Sequence, residues 1–186
     1  MTSPPRPVAP APAASPARGR VILGVDPGSR ATGWGVVTQD GPDLAFLAAG
    51  TLAPPAGDPL PRRLAWLAER IGQVADRFDP TLAVLESPFH GMNARSLIVL
   101  AQARGALIAT LAHRGVEVRE FSPAEVKSAV AGNGRAGKEE VARMVRMLLA
   151  FRGECSLDAT DALAVAVCCA QRLRMDRISE LHGRSK

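Results

Sequence analysis

The chain has 186 residues, 47% hydrophobic and 22% charged, with a net charge of +5, enough for one domain with a sizeable core and short for two. Its three cysteines, an odd number with no CxxC pair, exclude a disulfide framework and a cysteine zinc site and lead to an expected cytoplasmic location. No stretch has the form of a secretory signal or reads as a run of ~18 apolar residues, so no membrane partner is expected.

Residues 1–17 hold six prolines and five alanines and bury little, so residues 1–19 are expected to be a disordered tail. Order should begin at Val21–Val25, an apolar run short enough for a central strand, closed by the turn residues Asp26-Pro27-Gly28. Thr32–Thr38 and Leu44–Gly50 read as two further strands joined at Asp40-Gly41-Pro42. Asp58-Pro59 reads as a helix start with Asp58 as its cap. Leu64, Leu67, Ile71, Val74 and Phe78 follow on one face, and Asp79-Pro80 ends the helix. Thr81–Glu86 is a fourth strand, Asn93–His113 a long helix and Val116–Phe121 a fifth strand. Ser122-Pro123-Ala124-Glu125 is a capping box opening a helix that Gly132 ends. Lys138–Ala150 is the next helix, and Ser156 or Asp158 opens the last, which should run to about Arg174. The order βββαβαβααα predicts an α/β domain over residues 20–175, with a five-stranded mixed sheet flanked by helices and an antiparallel meander at its start. Residues 176–186 are expected to be a flexible C-terminal tail.

Four carboxylates stand out by position. Asp26 ends the first strand and Glu86 the fourth; Asp158 and Asp161, three apart, share a face at the start of the last helix. If strands one and four are parallel neighbours, Asp26 and Glu86 emerge together at the sheet edge where open α/β sheets place their sites. Such an oxygen-rich pocket suits Mg²⁺ or Mn²⁺, and two such ions about 4 Å apart can cleave a phosphodiester. Each acid also has an ordinary role open to it: turn former for Asp26, solvated strand end for Glu86, cap or dipole partner for Asp158 and Asp161. Charge is unevenly spread, net −3 over residues 21–86 and +5 over 87–153, which suits a cationic DNA groove beside a carboxylate cluster.

ILGVDPGSRATGWGVV, LESPFHGMNARSLIVLAQARGA, EVKSAVAGNGRAGKEEVARMVRMLL and DATDALAVAV resemble, in this order, the signature stretches of the RuvC crossover-junction endonucleases, over residues 21 to about 172. The resemblance implies an RNase H-like fold and a homodimer that resolves four-way (Holliday) junctions in recombination and repair by paired nicks leaving 5′-phosphate and 3′-hydroxyl ends. It implies two Mg²⁺ or Mn²⁺ ions per active site on four acids, which match Asp26, Glu86, Asp158 and Asp161, and usually a branch-migration motor as partner. Some relatives carry histidine where this chain has Asp158. Lys127 and Lys138 match lysines that meet phosphates near the scissile bond. Phe89 matches an aromatic that meets bases near the junction, where unpaired bases offer faces for stacking; ordinary core packing is its other reading. His90 stands where relatives often have a second apolar residue.

Gly132-Asn133-Gly134-Arg135-Ala136-Gly137 fits the GxGxxG string of dinucleotide-binding folds, but that fingerprint must follow a strand, and here a helix precedes it. The segment reads as a glycine loop whose amides and Arg135 could meet a DNA backbone. The helix from Asn93 is apolar almost all round, through Leu97, Ile98, Val99, Leu100, Leu107, Ile108 and Leu111, so it needs a second partner besides the sheet; small Ala101, Ala103 and Gly105 permit close approach, and a twofold dimer fits. Three rivals stand beside the nuclease reading. An actin-like nucleotide-binding protein shares DxGxxxxG at Asp26–Gly33 but needs two duplicated domains. The others are a non-catalytic junction binder and a non-specific nuclease.

Overall fold

The computed structural model describes residues 19–87 and 93–183. Five strands, β1 (Arg20–Asp26), β2 (Thr32–Asp40), β3 (Asp43–Leu52), β4 (Leu82–Glu86) and β5 (Glu117–Phe121), alternate with helices α1 (Leu60–Phe78), α2 (Ala94–His113), α3 (Pro123–Ala131), α4 (Lys138–Leu148) and α5 (Leu157–Gly183). The sheet order is β3-β2-β1-β4-β5. The β1–β2–β3 meander is antiparallel, while β1–β4 and β4–β5 are parallel, as the expected mixed sheet requires. The parallel connections pass through α1 and α2, which therefore cover one face together.

Alternation along the strands divides the core in two. Leu23 and Val25 of β1 and Ala83 and Leu85 of β4 point to α1 and α2, meeting Leu67, Ile71, Leu107 and Leu111. Ile22, Leu82 and Val84 point the other way, to Val126, Val141, Val145 and the buried run Leu163–Ala170 of α5. Cys168 and Cys169 lie in this second core as free thiols, and burial first of all pushes them up to about 12 and about 11.

Three expectations are corrected. Asp58 does not cap α1. The cap residue is Pro59, with no side-chain hydrogen bond, and Pro61 stands in the first turn. Pro61 has no N–H to satisfy, and the next amides, those of Arg62 and Arg63, already donate to the Pro59 carbonyl at 3.0 and 3.2 Å, so a capping carboxylate has little to accept. The last helix does not stop near Arg174 but continues to Gly183, so the tail expected from 176 is helical over most of its length. An Arg172–Asp176 pair at 3.6 Å one turn apart and a bond from the Ser179 hydroxyl to the Met175 carbonyl accompany the added turns. Finally, α2 is, by length and composition, long and apolar enough to cross a membrane. It instead packs one side on α1 and the sheet through Ala103, Leu107 and Leu111 and buries Arg104 there. The tail expected over residues 1–19 lies, up to residue 18, outside the described residues, as do Phe89 and His90.

Candidate active site

The pleat decides where the strand-end acids point. Ile22 and Gly24 face α5 from β1, so Asp26, two residues on, does too; Leu82 and Val84 do so from β4, and Glu86 follows them. Val25 pairs with Leu85 in the parallel register, so the two acids leave neighbouring strands at the same edge. The chain after Asp26 is pinned at once. The buried Thr32 hydroxyl donates to the Gly28 carbonyl at 2.7 Å, and Arg63 donates through Nε and Nη2 to the carbonyl and hydroxyl of Ser29 at 2.9 and 2.7 Å.

The helix that brings the other two acids is seated by missing side chains. Gly33 is the register partner of Asp26 on β2, and a Cβ there would collide with the backbone carbonyl of Asp158; a Cβ on Gly24 would collide with that of Ala162. Only glycine lets backbone approach backbone so closely. The first turn of α5 thus rests on the sheet beside Asp26. Ser156 caps it, its hydroxyl accepting from the Ala159 amide at 3.2 Å and lying 2.6 Å from the Thr51 hydroxyl.

Electrostatics report the convergence. Burial, then the charges of Asp161, Glu86 and Asp158, push the Asp26 carboxyl up to about 7, with Lys138 opposing. Glu86 is also raised, first by burial and then by Asp161, against Lys138, Lys127 and Arg104. All four predicted acids therefore gather at one edge, with Asp161 the strongest carboxylate neighbour of both strand-end acids. Lys138, the first residue of α4, reaches Asp161 at 3.3 Å, and the Asp161 charge raises the lysine in turn. Lys127 of α3 is half-buried, and its charge acts to lower Glu86. Arg135 is apart from the acids, exposed on the loop between α3 and α4; its amide donates to Asn133 Oδ1 at 3.0 Å. That loop follows a helix ended by Gly132 at φ 72°, so no strand precedes the glycine string.

The set fits divalent cations of the Mg²⁺ or Mn²⁺ class: four hard oxygen donors, two of them kept from easy ionisation by burial and by the Asp161 charge. Among the described residues no three Asp, Glu, His or Cys side chains stand close enough to hold one ion as they lie. Like charges repel, and Lys138 draws Asp161 to itself.

One contributor escaped the sequence reading. Arg104 of α2 is buried, donates through Nη1 to the Glu86 carbonyl, and brings Nη2 to 2.6 Å from Glu120 Oε1, an ion pair off the line of a straight hydrogen bond. It ties the end of β4 to the end of β5. An arginine on the side of the helix that also carries Leu107 and Leu111 was its signal, since a charge on a buried face needs a partner.

A sequence model of the crossover junction endodeoxyribonuclease RuvC family matches residues 22–169. The chain belongs to the RuvC family. The RuvC protein of Hyphomonas neptunium is 45% identical over 152 residues, covering 82% of this chain and 91% of that protein. The Anaeromyxobacter RuvC is 46% identical over 149 residues, covering 80% and 79%. Among solved structures, T. thermophilus RuvC in complex with a Holliday junction substrate superposes with a TM-score of 0.80 at 32% identity, over 84% of this chain and 96% of that one. The yeast mitochondrial Holliday junction resolvase, 11% identical with a TM-score of 0.65, shares the fold alone. The fold is thus the RNase H-like fold of RuvC resolvases.

Proposed function

We propose that this RuvC-family chain resolves four-way DNA junctions, with Asp26, Glu86, Asp158 and Asp161 as the ligands of two Mg²⁺ or Mn²⁺ ions. The observation that carries the reading is the gathering of four carboxylates at one sheet edge, two of them raised by burial and then by Asp161. Added positive charge favours the ionised form of Asp26 and Glu86. When bound, the cations lower the pKa of an attacking water and stabilise the leaving oxygen. The chain's own residues do the rest. Lys127 and Lys138 flank the acids and offer the phosphate positive charge from α3 and α4. The α3–α4 loop with Arg135 extends that cationic side. Phe89 is the residue assigned to stack on junction bases. Water adds to phosphorus and the bond to the 3′ oxygen breaks, leaving a 5′-phosphate and a 3′-hydroxyl.

A junction has two strands to cut, and we assign the second cut to a second copy of this chain. Leu97 and Ile98 are 41% and 59% exposed on α2, and Ala101, Gly105 and Ala109 continue the same outward side. That side is apolar and narrow, suited to the matching helix of a twofold partner. Action on DNA favours a cytoplasmic site of work, and the family favours a branch-migration motor as a further partner. The test is a synthetic mobile junction incubated with Mg²⁺ and with Mn²⁺. Paired, symmetric nicks that ligase reseals are expected, with linear duplex left uncut; equal cutting of duplex and junction would favour a non-specific nuclease.

A further inference from the structure

On the opposite side of the site edge from Lys127 and Lys138 lies an open groove of about 800 Å³, lined by the loop that leaves Asp26 and by the starts of α1 and α2. Its lining includes Arg30, Arg63 and Arg95 and no carboxylate. Among the described residues none of the three forms an ion pair, so no acid neutralises the groove. Their placement opposes ordinary helix electrostatics. A helix start is a positive pole that favours acids, and α3, α4 and α5 carry Glu125, Glu139 with Glu140, and Asp158 there. The first turns of α1 and α2 carry no acid and place Arg63 and Arg95 at the groove. Concentrated, unpaired positive charge is kept where an anion offsets it. Arg63 is already aimed by Ser29, while Arg30 and Arg95 are exposed, with no guanidinium partner among the described residues.

We propose that Arg30, Arg63 and Arg95 hold the phosphate backbone of the junction where it runs past the acids on the α1–α2 side. The site edge is then gripped from both faces of the sheet, by lysines on one and by arginines on the other. The planar fork of arginine suits phosphate oxygens, and Ser96 lines the same groove beside Arg95. The inference rests on the junction-resolving reading above.

The test measures junction affinity of the full-length protein by gel shift in EDTA over a range of salt, for the parent, R30Q/R95Q and R30K/R95K. Removing one cation from a DNA phosphate lowers the slope of log affinity against log salt by about 0.9. R30Q/R95Q is expected to bind more weakly with a slope shallower by about 1 to 2, while R30K/R95K keeps the charge and so the parent's slope, with a smaller loss of affinity. Both positions are exposed and form no ion pair among the described residues, so all three proteins should melt together. A parent-like slope for R30Q/R95Q overturns the groove assignment, as does an equal loss in the lysine variant. A parent that neither binds nor nicks junctions overturns the underlying reading instead.

Discussion

Asp26 is the residue on which the site turns, and its raised carboxyl ties the stability of the chain to pH. The group moves from 3.8 to about 7, by burial first and then by its carboxylate neighbours. The folded chain therefore keeps a proton that the unfolded chain releases between those values. Its contribution to stability is full below pH 4 and is lost as pH rises toward 7. In EDTA the parent should melt lower at pH 8 than at pH 5, and Asp26→Asn should flatten much of that difference. Added Mg²⁺ at pH 8 should raise the melting temperature of the parent more than that of Asp26→Asn. The same variant should bind junctions in EDTA like the parent and nick them at a small fraction of the rate; near-parental nicking sinks the assignment. Arg104 acts one step back from the chemistry. Arg104→Met leaves the Glu86 carbonyl without its donor and should cost about 2 kcal/mol, read in a urea melt. Glu120, 45% exposed, rehydrates and adds little.

At the scale of elements, the site is an agreement between two strand ends and one helix start, enforced by bare glycine. Gly33→Ala places a methyl group against the Asp158 carbonyl. That should push the first turn of α5 off the sheet, cost ~1–3 kcal/mol as overpacking does, and reduce nicking far more than one methyl group suggests. Ser156→Ala removes the cap of the same turn and should cost about 1 kcal/mol. Comparing nicking at equal folded fraction separates position from stability: Gly33→Ala should be slow even where it is fully folded. A folded Gly33→Ala protein with parental nicking would show that the fit of α5 on β2 is not what sets Asp158 and Asp161.

For the whole molecule, the proposed dimer gives the two sides of α2 different duties. Leu107 and Leu111 are fully buried within the chain while Ile98 is 59% exposed, and a Cβ on Gly105 meets nothing within 4 Å. Ile98→Lys and Gly105→Leu are therefore expected to fold normally. They should shift the protein from dimer to monomer in sedimentation, because a buried charge or an added side chain opposes close helix approach. Each monomer should keep its acids yet lose paired nicking of junctions. A dimer that survives both changes places the second copy elsewhere. Leu100 is a poorer probe, since it is half-buried and lines the arginine groove.

What the sequence alone determined follows from short-range pattern. Short apolar runs at Val21–Val25 and within Thr81–Glu86 placed Asp26 and Glu86 at strand ends, and a spacing of three placed Asp158 and Asp161 on one helical face. The capping box at Ser122 and the turn at Gly132 were legible because their bonds close within four residues. Those signals, with the family resemblance, were enough to nominate the four acids and to give the βββαβαβααα order. The tertiary structure alone decided which glycines serve as seats for α5, that Arg104 spans Glu86 and Glu120, and that Arg30, Arg63 and Arg95 line one groove. It also removed Asp58 from its expected capping role, because a proline two residues beyond the cap changes which amides need an acceptor. The physical reason is range. Periodicity and capping act over one or two turns of chain, whereas contacts such as Gly33 with Asp158 are written in two distant places and acquire meaning only when packing joins them.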